Sequence, residues 1–314
     1  IDEILAMRKK GVSLSDAVVL YRTNAQSRPF EELLLRERIP YRITGGTRFY
    51  ERKEVKDMLA FLRYLKNEND RSALERIINI PPRGIGKVGL ERIVERGLDA
   101  AADASPAARD FKAMVRLLRE KQPTRPLAQF IKELLSAINY KNYLREAYAS
   151  SRTWRADEFE ERWENIEELI GTAKKYDQIS PATALENFLE DIALFSSADT
   201  IDVSGGMLNL MTMHLAKGLE YPIVFLAGCE EGLLPHARSI YDPEALDEER
   251  RLCYVAITRA KDLAHLTFAR ERTTHGERSR RLPSRFISEI PEHLVHYEGH
   301  DLSEPELIEE WETD

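Results

Sequence analysis

Residues 207–227 read MLNLMTMHLAKGLEYPIVFLA. Two β-like apolar runs, 207–213 and 222–227, flank a short polar loop. Downstream, 246–258 has the apolar spacing of a helix and 263–268 (LAHLTF) reads as a last strand. Near the other end, 17–21 (AVVLY) is a strand. Ser27 then offers an N-cap, Pro29 fits a first helical turn, and Phe30, Leu33 and Leu34 follow at helical spacing. A second strand, 41–43, stops at Gly45-Gly46. Strand, helix, strand is the repeating unit of a parallel sheet.

Between these stretches the pattern is helical from about Lys53. Val55, Met58, Leu59, Leu62 and Leu65 form one stripe, and Phe159, Trp163, Ile166, Leu169, Ile170 and Ala173 form another. Ser180-Pro181 opens a further helix. An α/β sheet therefore starts, is interrupted by helices, and resumes. The expected division is 1–50 for the first part of the sheet domain, 51–203 for an inserted helical domain, 204–298 for the second part, and 299–314 for an acidic tail.

Composition narrows the function classes. The 314 residues suffice for two or three domains, and 43% hydrophobic with 32% charged residues is ordinary for a soluble globular protein. No apolar run reaches the length of a membrane span, and IDEILAMRKKG has no signal-peptide core, so a cytoplasmic protein with no membrane partner is expected. Cys229 and Cys253 lack metal-type spacing and read as buried free thiols. A net charge of −8 excludes a surface coated in basic residues, but a local patch can still bind phosphates.

Residues 252–262, LCYVAITRAKD, place Arg259 and Lys261 at the seam between a helix and a strand. An arginine there is either a cation favoured by the helix dipole or a guanidinium aimed at a phosphate. The second option needs a phosphate loop, G-x-x-x-x-G-K-[ST], somewhere in the protein. The nearest match, at Gly84-Ile85-Gly86-Lys87, has Pro81 in place of the first glycine and Val88 in place of the magnesium-binding hydroxyl. Asp247-Glu248-Glu249 opens a helix instead of ending a strand, where acids offset the dipole. No metal-ligating residues are expected.

Five segments in order carry a resemblance: YRTNAQSR (21–28), GGTRFYERKEVKD (45–57), PPRGIGK (81–87), MTMHLAKGLEYPIVFLAG (211–228) followed by EEGLLPH, and EERRLCYVAITRAKD (248–262). Together they resemble the C-terminal half of UvrD/PcrA/Rep-type superfamily 1 DNA helicases. Ala256, Leu234 and Tyr221 depart from the commonest family residues without removing a charged group. The resemblance implies a RecA-like second motor domain, 2A, interrupted by a helical domain, 2B. Its expected activity is 3′–5′ DNA unwinding driven by ATP and Mg²⁺, in DNA repair or replication restart. The N-terminal motor half of the same protein would hold the nucleotide. Expected DNA partners are single strands and duplex–single-strand junctions.

By resemblance, Arg259 and Arg22 serve catalysis at the γ-phosphate, Tyr21 stacks on adenine, and Glu220, Lys217 and Gly218 contact the nucleotide. Thr212 and His214 lie near the single strand, and Arg83, Gly84, Gly86 and Lys87 form a helix-hairpin-helix contact to DNA phosphate. Blander readings stand beside these: a tyrosine covering core, a solvated Arg22, a locally bonded His214, and a plain turn at Gly84. A different class of function also fits, a non-catalytic module that recruits DNA or a partner. A helicase–nuclease subunit fits less well, since nothing resembles a nuclease motif.

Overall fold

The computed structural model describes residues 1–102, 105–149, 156–196, 203–274 and 277–298; the acidic 299–314 stretch lies outside them. Five strands, β1 (Ala17–Tyr21), β2 (Tyr41–Ile43), β3 (Leu208–Thr212), β4 (Tyr221–Ala227) and β5 (Ala260–Thr267), form one parallel sheet in the order β2-β3-β1-β4-β5. A hairpin, β6 (Glu271–Thr274) and β7 (Glu277–Arg280), pairs antiparallel beside it. Every residue of β1 and β3 is buried, as parallel strands covered on both faces require.

Alternation along β1 decides which face each side chain meets. Ala17, Val19 and Tyr21 join Ile4 and Met7 of α1 (Asp2–Lys9) and Leu34 of α2 (Ser27–Arg36). Val18 and Leu20 point the other way. There they meet Leu252, Cys253 and Ala256 of a long helix, residues Pro243–Ile257, and Phe286 and Ile287 of a short one, Arg285–Ser288. The start of α2 differs from expectation: Gln26 is the N-cap, and Ser27 is the first helical residue, its hydroxyl spent on Glu31.

The stretch between β2 and β3 is helical: α3 (Lys53–Lys66), α4 (Arg71–Ile77), α5 (Lys87–Ala102), α6 (Pro106–Lys121), α7 (Leu127–Ala137), α8 (Tyr140–Ala149), α9 (Ala156–Ala173) and α10 (Pro181–Ser196). Caps fix several starts. Asp70 accepts from the Ala73 N–H at 2.9 Å to begin α4, and Ser105 with Pro106 begins α6; each such cap contributes roughly 1 kcal/mol. These helices share a core running from Phe49 to Ile192, to which no sheet strand contributes. The long and the short helix after β3 complete the described α-helices as α11 (Pro243–Ile257) and α12 (Arg285–Ser288).

Polar contacts join the helical stretch to the sheet. The Arg52 guanidinium, before α3, donates to Ser27 Oγ at 2.7 Å and to Asn165 Oδ1 on α9 at 2.6 Å. Arg28 on α2 pairs with Glu168 on α9 at 2.6 Å.

Candidate functional site

A groove of about 710 Å³ opens above the carboxyl ends of β1, β2 and β3, where open α/β sheets bind ligands. Arg22 follows β1, Gly45-Gly46-Thr47 follow β2, Thr212 ends β3 and His214 lies in the turn after it; all line the groove. His236, Arg238 and Ser239 lie beyond β4, and the far wall is α9. The groove is not a simple basic trough. Arg22, Arg52, Lys53, Arg162 and Arg238 face Glu54, Glu158, Glu160, Glu161 and Glu164. Arg238 bonds Glu160 at 2.7 Å, His236 Nε2 lies 3.4 Å from Glu164, and Asn24 donates to Glu161 at 3.2 Å. Burial raises the Glu164 pKa, but the His236 bond and charge, Arg238 and Thr23 together outweigh it and hold the group below the usual carboxylate range.

Arg22 is fixed twice. Its backbone N–H and that of Thr23 donate to Gln26 Oε1 at 3.0 and 2.9 Å. Its guanidinium lies edge-on to Glu249 of α11, with Nε 2.9 Å and Nη2 2.7 Å from Oε1. The Glu249 side chain is 5% exposed and also accepts the His236 backbone N–H at 3.0 Å.

Arg259 stands at the other end of α11. Nε donates to the Val255 carbonyl at 2.9 Å, Nη1 to the Leu219 carbonyl at 3.2 Å, and Nη2 to Thr258 Oγ1 at 3.1 Å. Leu219 belongs to the exposed 217–220 loop, so Arg259 joins the helix end to that loop. Gly218 there has φ +86°, a conformation that only glycine takes without strain. Lys217 and Glu220 are exposed, and Glu220 lies 3.7 Å from Lys261 Nζ. A guanidinium has five N–H donors. Three are spent on neutral acceptors, which leaves one on each terminal nitrogen.

One expectation about the nucleotide contacts requires correction. Tyr21 is 0% exposed on the face packed by α1 and α2, and its hydroxyl has no hydrogen-bond partner among the described residues. Burial pushes its pKa far above the tyrosine range. No ring face is open to an adenine, because strand alternation turns the side chain inward. Arg22 follows the carboxyl end of β1 and Arg259 precedes β5; their guanidinium anchors, Glu249 and Val255, lie about 9 Å apart along α11 at 1.5 Å per residue.

A second correction concerns the turn between α4 and α5. Arg83 faces inward: Nη1 donates to the carbonyls of Ile77, Ile78, Ile80 and Pro81 at 2.9–3.1 Å, and the guanidinium lies 4.7 Å from the Phe111 ring centre. Desolvation lowers its pKa to about 10, which still leaves it charged at neutral pH. It staples the loop and is not available to DNA. Asn79 shapes the same loop, donating to the Ile85 carbonyl at 2.7 Å and accepting from the Arg83 and Ile85 N–H groups. The result leaves Gly84 (φ +71°), Gly86 and Lys87 exposed at the start of α5, with open space around both glycines.

Glu249, Gln26, His236, Arg238, Asn79 and the α9 glutamates were not anticipated from the sequence. Glu249 alone carried a signal: with Leu252, Cys253 and Ala256 it follows helical spacing, which places an acid on a buried stripe. Among the described residues no group of three or more His, Cys, Asp or Glu is arranged to hold a metal ion.

The parallel sheet, its carboxyl-edge groove and the arginine closing α11 define a RecA-like α/β fold. The model of the UvrD-like helicase C-terminal domain matches residues 1–271, and the chain belongs to that family. Among curated relatives, the ATP-dependent DNA helicase PcrA of Staphylococcus epidermidis is 40% identical over 316 residues, covering 94% of this chain and 42% of the relative. PcrA of Staphylococcus aureus is 38% identical over 330 residues (98% and 44%), and that of Bacillus subtilis is 40% identical over 304 residues (90% and 40%). The chain spans less than half the length of these relatives. No described helix is long and apolar enough to cross a membrane.

Proposed function

We propose that the chain is the second motor half of an ATP-dependent 3′–5′ DNA helicase, with the strands as domain 2A and residues 51–203 as an inserted domain 2B. The observation that carries this is Arg259: on the exposed side of the fold, beside the 217–220 loop, it keeps one N–H on each terminal nitrogen. That pair is the fork that suits the equatorial oxygens of a transferring phosphoryl group.

The residues present fit only the outer end of a nucleotide. Mg-ATP, held mainly by a partner motor half, supplies the phosphoryl transfer. Arg259 would stabilise charge that develops in the transition state, Glu220 would accept from a ribose hydroxyl, and Lys217 with Gly218 would lie against the nucleotide. Arg22 would join Arg259 at the γ-phosphate, Thr212 and His214 would meet a single strand along the groove, and Gly84, Gly86 and Lys87 a duplex phosphate ahead of the junction. The 2A–2B contacts through α9 would set how open that groove is.

The test is ATP turnover with saturating single-stranded DNA. Residues 1–314 alone should show none above background, and the full-length protein should turn over about 1–100 times per second, as is common for phosphoryl-transfer enzymes. Robust turnover by the purified chain alone, or none by the full-length protein, would overturn the reading and favour a non-catalytic binding module.

A further inference from the structure

We propose that Thr258 is a positioning residue for Arg259. The inference rests on the reading that Arg259 meets a transferring phosphoryl group. The guanidinium is held by the carbonyls of Val255 and Leu219 and by Thr258 Oγ1. Two of these acceptors belong to the backbone, which every residue type supplies. The Thr258 hydroxyl is the one side-chain acceptor of the three, so only there does the choice of residue decide the contact.

That hydroxyl is itself held. Its proton goes to the Val255 carbonyl at 3.0 Å, one turn back on α11. A hydroxyl has one donor and two acceptor sites. With the donor spent, Thr258 presents only its oxygen to Arg259, and Nη2 donates to it at 3.1 Å. The backbone beneath is fixed as well: Thr258 is the C-cap of α11, and its N–H donates to the Tyr254 carbonyl at 3.0 Å. Branching at Cβ limits the side chain to few rotamers. The guanidinium is thus braced on two sides, by the helix end through Nε and Nη2 and by the 217–220 loop through Nη1. It cannot turn without losing a bond. All three acceptors are neutral, so the bracing leaves the positive charge for the phosphoryl oxygens. A carboxylate in place of Thr258 would hold the cation more tightly but offset that charge.

The test is steady-state ATP hydrolysis by the full-length protein with saturating single-stranded DNA, with thermal unfolding recorded for every variant. Thr258→Val keeps the shape and removes the hydroxyl. Its kcat should fall about 3- to 10-fold, the worth of one neutral hydrogen bond, with KM for ATP within about twofold. Thr258→Ala, which lacks the branch, should lose as much. Thr258→Ser should keep at least about half of the parent kcat, because the acceptor is retained. On the Arg259→Ala background Thr258→Val should have no further effect. If Arg259→Ala itself leaves turnover near normal, the finger reading fails and Thr258 has nothing to position. If Arg259→Ala is nearly inactive but Thr258→Val and Thr258→Ala turn over like the parent, Thr258 is a helix cap and the positioning role fails. That role also fails if serine does not restore kcat, if the loss lies in KM alone, or if Thr258→Val lowers turnover equally without Arg259.

Discussion

Replacing Arg259 with alanine in the full-length protein separates two roles that the same three hydrogen bonds allow. As a helix-end cation, Arg259 satisfies the Val255 and Leu219 carbonyls and offsets the α11 dipole. Half-exposed bonds of this kind contribute toward the lower end of 0.5–1.5 kcal/mol each, so the structural loss is about 1–2 kcal/mol in all. That lowers the unfolding midpoint by a few degrees, at about 2–4 °C per kcal/mol for a domain of this size. As a finger, the two remaining N–H groups act on charge that appears only in the transition state. Turnover should then fall by at least about 10³-fold, or roughly 4 kcal/mol, with nucleotide affinity changed far less. Arg259→Lys should recover little turnover, since an ammonium cannot bond both the helix end and two phosphoryl oxygens. Calorimetry and steady-state hydrolysis on one preparation give both numbers. A midpoint lowered by a few degrees with near-normal turnover per folded molecule would refute the finger, and recovery by lysine would refute the need for a fork.

Three further outcomes follow from the geometry. Gly84→Val and Gly86→Val together should weaken binding to duplex–single-strand junctions at least tenfold while leaving plain single-strand binding within about twofold, because a Cβ blocks backbone approach to phosphate and valine resists φ +71°; equal losses on both DNAs would make the loop structural only. The Glu164 pKa is depressed in the folded state, so its stabilising contribution is present above the unfolded carboxylate value and is lost as pH falls through the folded one; unfolding midpoints should therefore drop more steeply below about pH 4.5 in the parent than in Glu164→Gln. Cys229 and Cys253 are buried, with burial pushing both thiols up, Cys253 to about 12; a maleimide should label neither under native conditions and both after unfolding.

The strands were legible because a parallel sheet covered on both faces leaves unbroken apolar runs such as AVVLY and PIVFLA. The same logic explains the misreading of Tyr21: a run buried on both faces buries its last residue too, and the pairing with Thr212 keeps Tyr21 inside β1. Side-chain direction was not legible where tertiary contacts set it. Whether Arg83 turns in or out depends on four carbonyls freed at the end of α4, and nothing in PPRGIGK marks them. Glu249 read as one of three helix-start acids, although its spacing from Leu252 and Ala256 placed it on the buried stripe. The edge on which Arg259 sits followed only from the sheet register.

The strand order carries a consequence for biosynthesis. β1 is the centre of the sheet, yet both of its neighbours, β3 and β4, begin after residue 207. At about 5–20 residues per second, a ribosome that has finished β1 needs roughly 10–40 s to deliver its first partner. Throughout that interval AVVLY is an unpaired apolar strand with both faces and both edges open, a template for pairing with other nascent chains. The helices made meanwhile can settle on their own core, which draws none of its residues from the strands. The nascent chain therefore carries its most aggregation-prone segment ahead of a body that can already be folded. Chaperone demand should track the time between β1 and β3, so shortening the helical stretch should ease folding even where it removes stabilising contacts.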